Sequence, residues 1–221
     1  MLCDLDVLDF AQQQVEHIET ALKSLAAEDQ RLPILVQLPG ISLINALAIL
    51  GAIGDIRRFP SPKELVGYSG LAGRVHDSGQ TSRRGGITKA GRRDLRTAMV
   101  QAAQTAANTH PHWKAELERL QPRLGRNKAI VAIARKLLVS VWYVLTKEVS
   151  DRFAEPEMVA RKLLQYAYVL GKANRPANQS PGQYVRDHLD RLGLGADLTE
   201  IPWGTEKSRP LPPSTLPENS K

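Results

Sequence analysis

Cysteine is almost missing from this 221-residue chain, where Cys3 stands alone. That excludes a disulfide framework, disfavours a cysteine-based zinc site, and suits a reducing, cytoplasmic setting. Aromatic residues make up 5% of the sequence. With Ala and Leu plentiful, this scarcity favours helix packing over a β-sandwich. No run of about eighteen apolar residues occurs, so no membrane span is expected. The opening Met1-Leu2-Cys3-Asp4-Leu5-Asp6 puts acids where a secretory signal carries positive charge, so no targeting segment is expected. His110 and His112 flank Pro111 with no third ligand spaced to match. Asp4, Asp6 and Asp9 read as the solvated side of a helix. Neither a metal site nor a cofactor is therefore expected in this chain.

What is abundant is positive charge. The net charge is +7 and the sequence pI is about 9.7, a balance suited to a polyanionic partner. Hydrophobic residues make up 42% of the chain, enough for a core. The fold class expected is all-α, a compact helical domain with a long leading helix and a loose tail. Residues 1–31 read as an amphipathic helix, with Leu5, Leu8, Val15, Ile18, Leu22 and Leu25 recurring near spacings of three and four. That stripe suits a coiled-coil seam, and equally packing inside one domain.

Residues 32–153 form the main unit. Ser42 can cap a helix from Leu43 to Ile53 that Gly54 ends. Ser61-Pro62-Lys63-Glu64 combines a cap, a first-turn proline and a capping box. Ala72 to Thr88 is rich in glycine, lacks apolar periodicity, and reads as a flexible loop. Helices are expected from Lys89 to Asn108, Trp113 to Leu120 and Asn127 to Val149. Residues 154–204 form a partly helical extension, with helices from Glu157 to Leu170 and Gln183 to Leu192. The proline-rich segment 205–221 is expected to be disordered.

Two constellations could carry chemistry. In Leu38-Pro39-Gly40-Ile41-Ser42, the turn resembles the hairpin of a helix-hairpin-helix unit. Pro39, Gly40 and Ser42 are the candidate DNA-binding residues there, because backbone N–H groups at a helix start can hold a phosphate. A plain interhelical turn has the same pattern. The second constellation runs from Arg74 to Arg96. It gathers Arg74, Arg83, Arg84, Lys89, Arg92, Arg93 and Arg96 against two acids, Asp77 and Asp94. On a helix starting near Lys89, the last four cations would share one face. Phosphate binding is the natural use, and a solvated charged face is the alternative. Within this stretch Ser78, in Asp77-Ser78-Gly79, is the candidate catalytic serine. A serine needs a base or nearby cations before it attacks. Ser82 is its neighbouring rival, and an ordinary turn serine has the same pattern.

These elements, in this order, resemble the C-terminal domain of insertion-sequence transposases of the 110/116/902 group. The resemblance rests on Leu35 to Ile41, Gly54-Asp55, Arg58 to Ser61, Leu65 to Leu71, Asp77-Ser78-Gly79, Gly86 to Gly91, Leu95-Arg96 and Ala129 to Leu138. It covers roughly residues 2–153. It implies a function in DNA transposition or site-specific recombination, with Ser78 at the position of the family serine that becomes joined to DNA. It also implies a RuvC-like nuclease half, absent from this sequence, that binds Mg²⁺ through its own carboxylates. DNA is the implied partner, together with an element-encoded guide RNA and either a homo-oligomer or a RuvC-like partner chain. Ser42 departs from the family pattern by replacing a glycine. Two further readings stay open: a helix-hairpin-helix module that binds DNA or RNA without chemistry, and an inactive transposase fragment.

Overall fold

A computed structural model describes residues 2–78, 81–204 and 207–216; side chains at 2–3, 75–78 and 81–84 lie outside that description. The described chain is mainly helical. Its elements are α1 (Leu2–Glu28), α2 (Arg31–Val36), α3 (Leu43–Ile53), α4 (Pro62–Ser69), β1 (Gly73–Ser78), β2 (Thr81–Ile87), α5 (Arg93–Thr109), α6 (Pro111–Leu124), α7 (Arg126–Lys147), α8 (Pro156–Leu170), α9 (Pro181–Leu192), β3 (Glu200–Trp203) and β4 (Lys207–Pro210). The all-α expectation holds, with two antiparallel β-hairpins added.

Local signals set the helix ends. Ser42 accepts a hydrogen bond from the Asn45 N–H at 3.3 Å, and Gly54 ends α3 with a positive φ. Ser61 and Glu64 complete the capping box of α4, with Pro62 in its first turn. The core is built by α4, α5 and α6 around α7, with α3 packed on α5. Small side chains on α5, among them Ala98, Ala102 and Ala106, are buried and let neighbouring backbone come close. Gly40 exploits this: a Cβ placed there would lie 2.0 Å from the Ala102 carbonyl oxygen, and its φ of +74° favours glycine. α7 is long and apolar enough to cross a membrane. Here its Ile133, Leu137, Leu138 and Val141 fill the centre of the bundle.

α1 presents its apolar stripe outward. Leu5, Leu8, Val15, Ile18 and Leu25 are exposed, while Ala26 joins the core. Packing inside the domain therefore does not account for the stripe.

Three expectations are corrected. Residues 73–78 and 81–87 form two paired antiparallel strands rather than a loop, with Gly73 opposite Ile87, His76 opposite Arg83 and Ser78 opposite Thr81. The register shifts between Gly73 and Val75. A two-stranded ribbon with no sheet behind it needs no alternating apolar face, so the usual strand signal is missing. Second, α5 begins at Arg93, not Lys89, because Lys89 has a φ of +56° and Gly91 one of +148°. Lys89 and Arg92 are thus not on one helix face with Arg93 and Arg96. Third, residues 207–216 of the tail are ordered: β4 pairs with β3, and Leu211 is buried in a second, smaller core made by α8, α9 and β3.

The fully buried Arg186 explains this last result. Its Nε donates to the Pro212 carbonyl at 2.7 Å, its Nη1 to the Gly195 carbonyl at 2.9 Å, and its Nη2 to the Leu198 carbonyl. Asp190 accepts from Arg186, from Ser214 Oγ at 2.7 Å and from the Thr215 N–H and hydroxyl at 2.9 Å. Burial would raise the Asp190 carboxyl, but these donors hold it below its ordinary value. Proline-rich composition hid an anchor that depends on one arginine 26 residues upstream of Pro212.

Candidate nucleic-acid interface

An open groove of about 800 Å³ lies between the base of the β1–β2 hairpin and α7. Arg74 and Lys89 line it from the hairpin side; Lys128, Arg135 and Lys136 line it from α7. Among the described residues its lining contains no Asp or Glu, and Leu71, Ile87, Val131 and Val139 supply apolar surface. Lys128, Val131, Ala132, Arg135, Lys136 and Val139 follow three- and four-residue steps, so they form one face of α7. A Cβ built at Gly73 or Gly86 would meet nothing within 4 Å. The hairpin base thus offers bare backbone beside a row of cations, which is what a phosphodiester chain requires.

The hairpin is fixed at its base. The Thr88 N–H donates to the Ala72 carbonyl at 2.8 Å, the Lys89 N–H to Gly70 at 3.1 Å, and the Arg92 N–H to Tyr68 at 2.8 Å. Gly91 permits this lacing, since a Cβ there would sit 2.3 Å from the Tyr68 carbonyl oxygen. Arg96 adds Nη1 bonds to the carbonyls of Ser69 at 3.0 Å and Lys89 at 3.3 Å. Arg74 reaches the Thr88 carbonyl at 3.1 Å and remains exposed.

The basic residues expected from sequence therefore have different surroundings. Arg74 and Lys89 share the groove. Arg93 is exposed on the first turn of α5. Arg92 pairs with Asp94 and pulls that carboxyl down to about 2. Arg96 is spent on the carbonyls just named. The side chains of Ser78, Ser82, Arg83 and Arg84 lie outside the described residues; backbone register places Ser78 opposite Thr81 and Ser82 opposite Asp77.

The hairpin turn is a different matter. Pro39 is buried and Gly40 sits against the backbone of α5, so packing explains both residues. Ser42 is exposed but caps α3 and lines a separate cavity with Lys162. The structure does not bring this turn into the basic groove.

Sequence reasoning assigned no role to Lys128, Arg135 and Lys136. Their spacing on one helix face was the available signal, but it gains meaning only when the hairpin packs beside α7. Lys136 also bonds Glu116, which accepts from Arg119 at 2.8 and 2.9 Å. Arg119 first, and Lys136 with it, hold the Glu116 carboxyl down to about 2. That leaves one net positive charge on the trio at neutral pH. Among the described residues, no three His, Cys, Asp or Glu side chains gather to hold a metal ion. A carboxylate-bound Mg²⁺ does not fit the described residues.

Comparison with known proteins adds relatives to this geometry. Over 61% of its length the chain is 32% identical to the transposase for insertion sequence element IS1111A of Coxiella burnetii, covering 38% of that protein. It is 31% identical over 61% of its length to the transposase for insertion sequence element IS1328 of Yersinia enterocolitica, covering 42% of it. It is 33% identical over 53% of its length to the pilin gene-inverting protein of Moraxella bovis, covering 37% of it. The chain thus spans about two fifths of the length of the curated relatives it matches. The segment 32–118, from α2 into α6, matches the Transposase IS116/IS110/IS902 family.

Proposed function

We propose that this chain is the DNA-gripping part of a transposase of the IS116/IS110/IS902 kind, and that the groove between the hairpin and α7 holds a DNA backbone. The observation that carries this reading is the row of like charges, Arg74, Lys89, Lys128 and Arg135, in one groove whose described lining holds no acid, with Lys136 beside them paired to Glu116. Cations so placed neutralise phosphates and release counterions, the main source of sequence-independent affinity. Glycine-rich strands at the groove edge let the duplex approach without side-chain obstruction.

In the reaction that the resemblance implies, the Ser78 Oγ attacks a phosphodiester phosphorus. A serine–phosphate bond forms, one P–O bond to deoxyribose breaks, and the freed oxygen takes a proton to become a hydroxyl. The described residues provide positioning: Arg74 and Lys89 hold neighbouring phosphates at the hairpin base. Mg²⁺ would belong to a RuvC-like nuclease half elsewhere. A guide RNA and a second protomer are further partners that the resemblance implies.

The test is the salt dependence of duplex binding. Each phosphate contact lowers log affinity by about 0.9 per decade of salt. Four exposed contacts, from Arg74, Lys89, Lys128 and Arg135, give a slope of roughly −3 to −4. The double variant Lys128→Ala/Arg135→Ala should lose about half of it. A flat slope in the natural protein would refute the reading. Covalent chemistry is tested separately, by a denaturant-resistant DNA adduct formed with a partner nuclease chain and lost in Ser78→Ala. Loss in Ser82→Ala instead would move the nucleophile. Binding without any adduct would leave a nucleic-acid-binding module.

A further inference from the structure

A second pocket, of about 580 Å³, continues the basic groove along α7, and Lys136 and Val139 line both. The character of the surface changes here. Its walls carry Tyr143, His112, Trp113 and Phe153. The His112 ring stacks on Phe153 at 3.5 Å between centroids and 15° between planes. The Arg152 guanidinium lies 4.3 Å from the Phe153 centroid. Tyr143 is 49% exposed, which leaves its ring open to a partner. Trp113 is buried, and its indole N–H has no hydrogen-bond partner among the described residues. Among the described residues the lining holds one acid, Asp151, which is buried and accepts from the Phe153 N–H at 3.2 Å.

From this juxtaposition we infer that the second pocket receives an unpaired nucleobase of a strand whose phosphates lie in the basic groove. A nucleobase is flat, aromatic and polar at its edges. It needs an aromatic face to stack on and a cation for the adjoining phosphate. The pocket places Tyr143 and the His112–Phe153 stack next to Lys136 and Arg152. A paired base inside a duplex cannot reach such a pocket, because its faces are covered by its neighbours. The site therefore selects bulged, flipped or single-stranded nucleotides, of DNA or of RNA. Continuity with the groove, through two shared residues, indicates this occupant rather than a peptide or a lipid.

The inference rests on the proposed groove function, so the test separates the two. Two hairpin oligonucleotides whose strands are joined by a non-nucleotide linker are compared by fluorescence titration, one fully paired and one with a single bulged 2-aminopurine, each made as DNA and as RNA. The bulge should tighten binding by roughly tenfold, within the range set by one base–aromatic stack, and quench the 2-aminopurine. Tyr143→Ala should remove the tightening and the quench while leaving affinity for the paired hairpin unchanged; Tyr143→Phe should keep both. Because Tyr143 is half exposed, its variants should fold, as the paired hairpin and a thermal melt verify. Equal affinity for bulged and paired hairpins, or a quench that survives Tyr143→Ala, overturns the pocket and leaves the groove. Binding of the bulged hairpin alone supports the pocket and overturns the duplex groove. Binding of neither overturns both. The DNA and RNA arms identify the strand.

Discussion

Gly40→Ala is the sharpest test of how the hairpin turn is used. The added Cβ would fall 2.0 Å from the Ala102 oxygen and 2.7 Å from the Ala106 nitrogen, both backbone atoms of α5. Ordinary contact begins near 3.4 Å, so the turn and α5 must separate by more than an ångström. Overpacking of this kind typically costs about 1–3 kcal/mol. A positive φ of +74° adds about 1–2 kcal/mol for an alanine. The sum, about 2–5 kcal/mol, is a large part of the 5–15 kcal/mol expected for a whole domain. A circular-dichroism melt should show Tm falling by roughly 4–20 °C. Gly51→Ala is the internal control. That glycine sits inside α3 with open space around it, so alanine there should stabilise by about 0.5–1 kcal/mol. If Gly40→Ala melts like the parent yet binds DNA poorly, the turn is a contact surface and the packing argument fails.

Two further outcomes are expected. Arg186→Met removes the donors that satisfy the carbonyls of Gly195, Leu198 and Pro212, and leaves Asp190 without its ion pair; loss of one partner from a buried pair costs about 3–5 kcal/mol. Limited proteolysis should then cut the segment after 204 in the variant and spare the parent, and equal resistance would refute the anchoring role. Lys162 donates to the Leu38 carbonyl, and burial pushes its amine down to about 7 from 10.5. The unfolded chain then binds more protons than the folded one between these values, so stability should rise as pH goes from 7 to about 10 and fall on acidification. Its full span is up to about 5 kcal/mol, and urea titrations of Lys162→Met should show that rise flattened.

Much of the helical frame was legible in the sequence, because its signals are local. Ser42 and Gly54 bound α3, and Ser61, Pro62 and Glu64 start α4, each through groups within a few residues of one another. The basic character of 74–96 was legible too, but its sorting was not. Whether an arginine is free or spent depends on a carbonyl supplied by another element, as Ser69 does for Arg96. The groove escaped detection for the same reason: Lys128 and Arg135 meet Arg74 only after the hairpin folds beside α7. The β1–β2 hairpin and the ordered tail escaped because neither has an alternating apolar pattern. Their ladders and Arg186 hold them instead.

α8 takes part in both cores, with Tyr166, Ala167 and Leu170 in the larger one and Val159, Leu163 and Leu164 in the smaller. The Tyr166 hydroxyl also donates to the Ala26 carbonyl at 2.9 Å, tying the chain's opening helix to its last third. Shortening the polypeptide to its family-matched stretch would strip away α7 and α8 together and leave their apolar seats on α2, α4, α5 and α6 open to water. The smallest piece that can stand by itself must reach at least to Leu170, well past residue 118, where the family-matched segment ends.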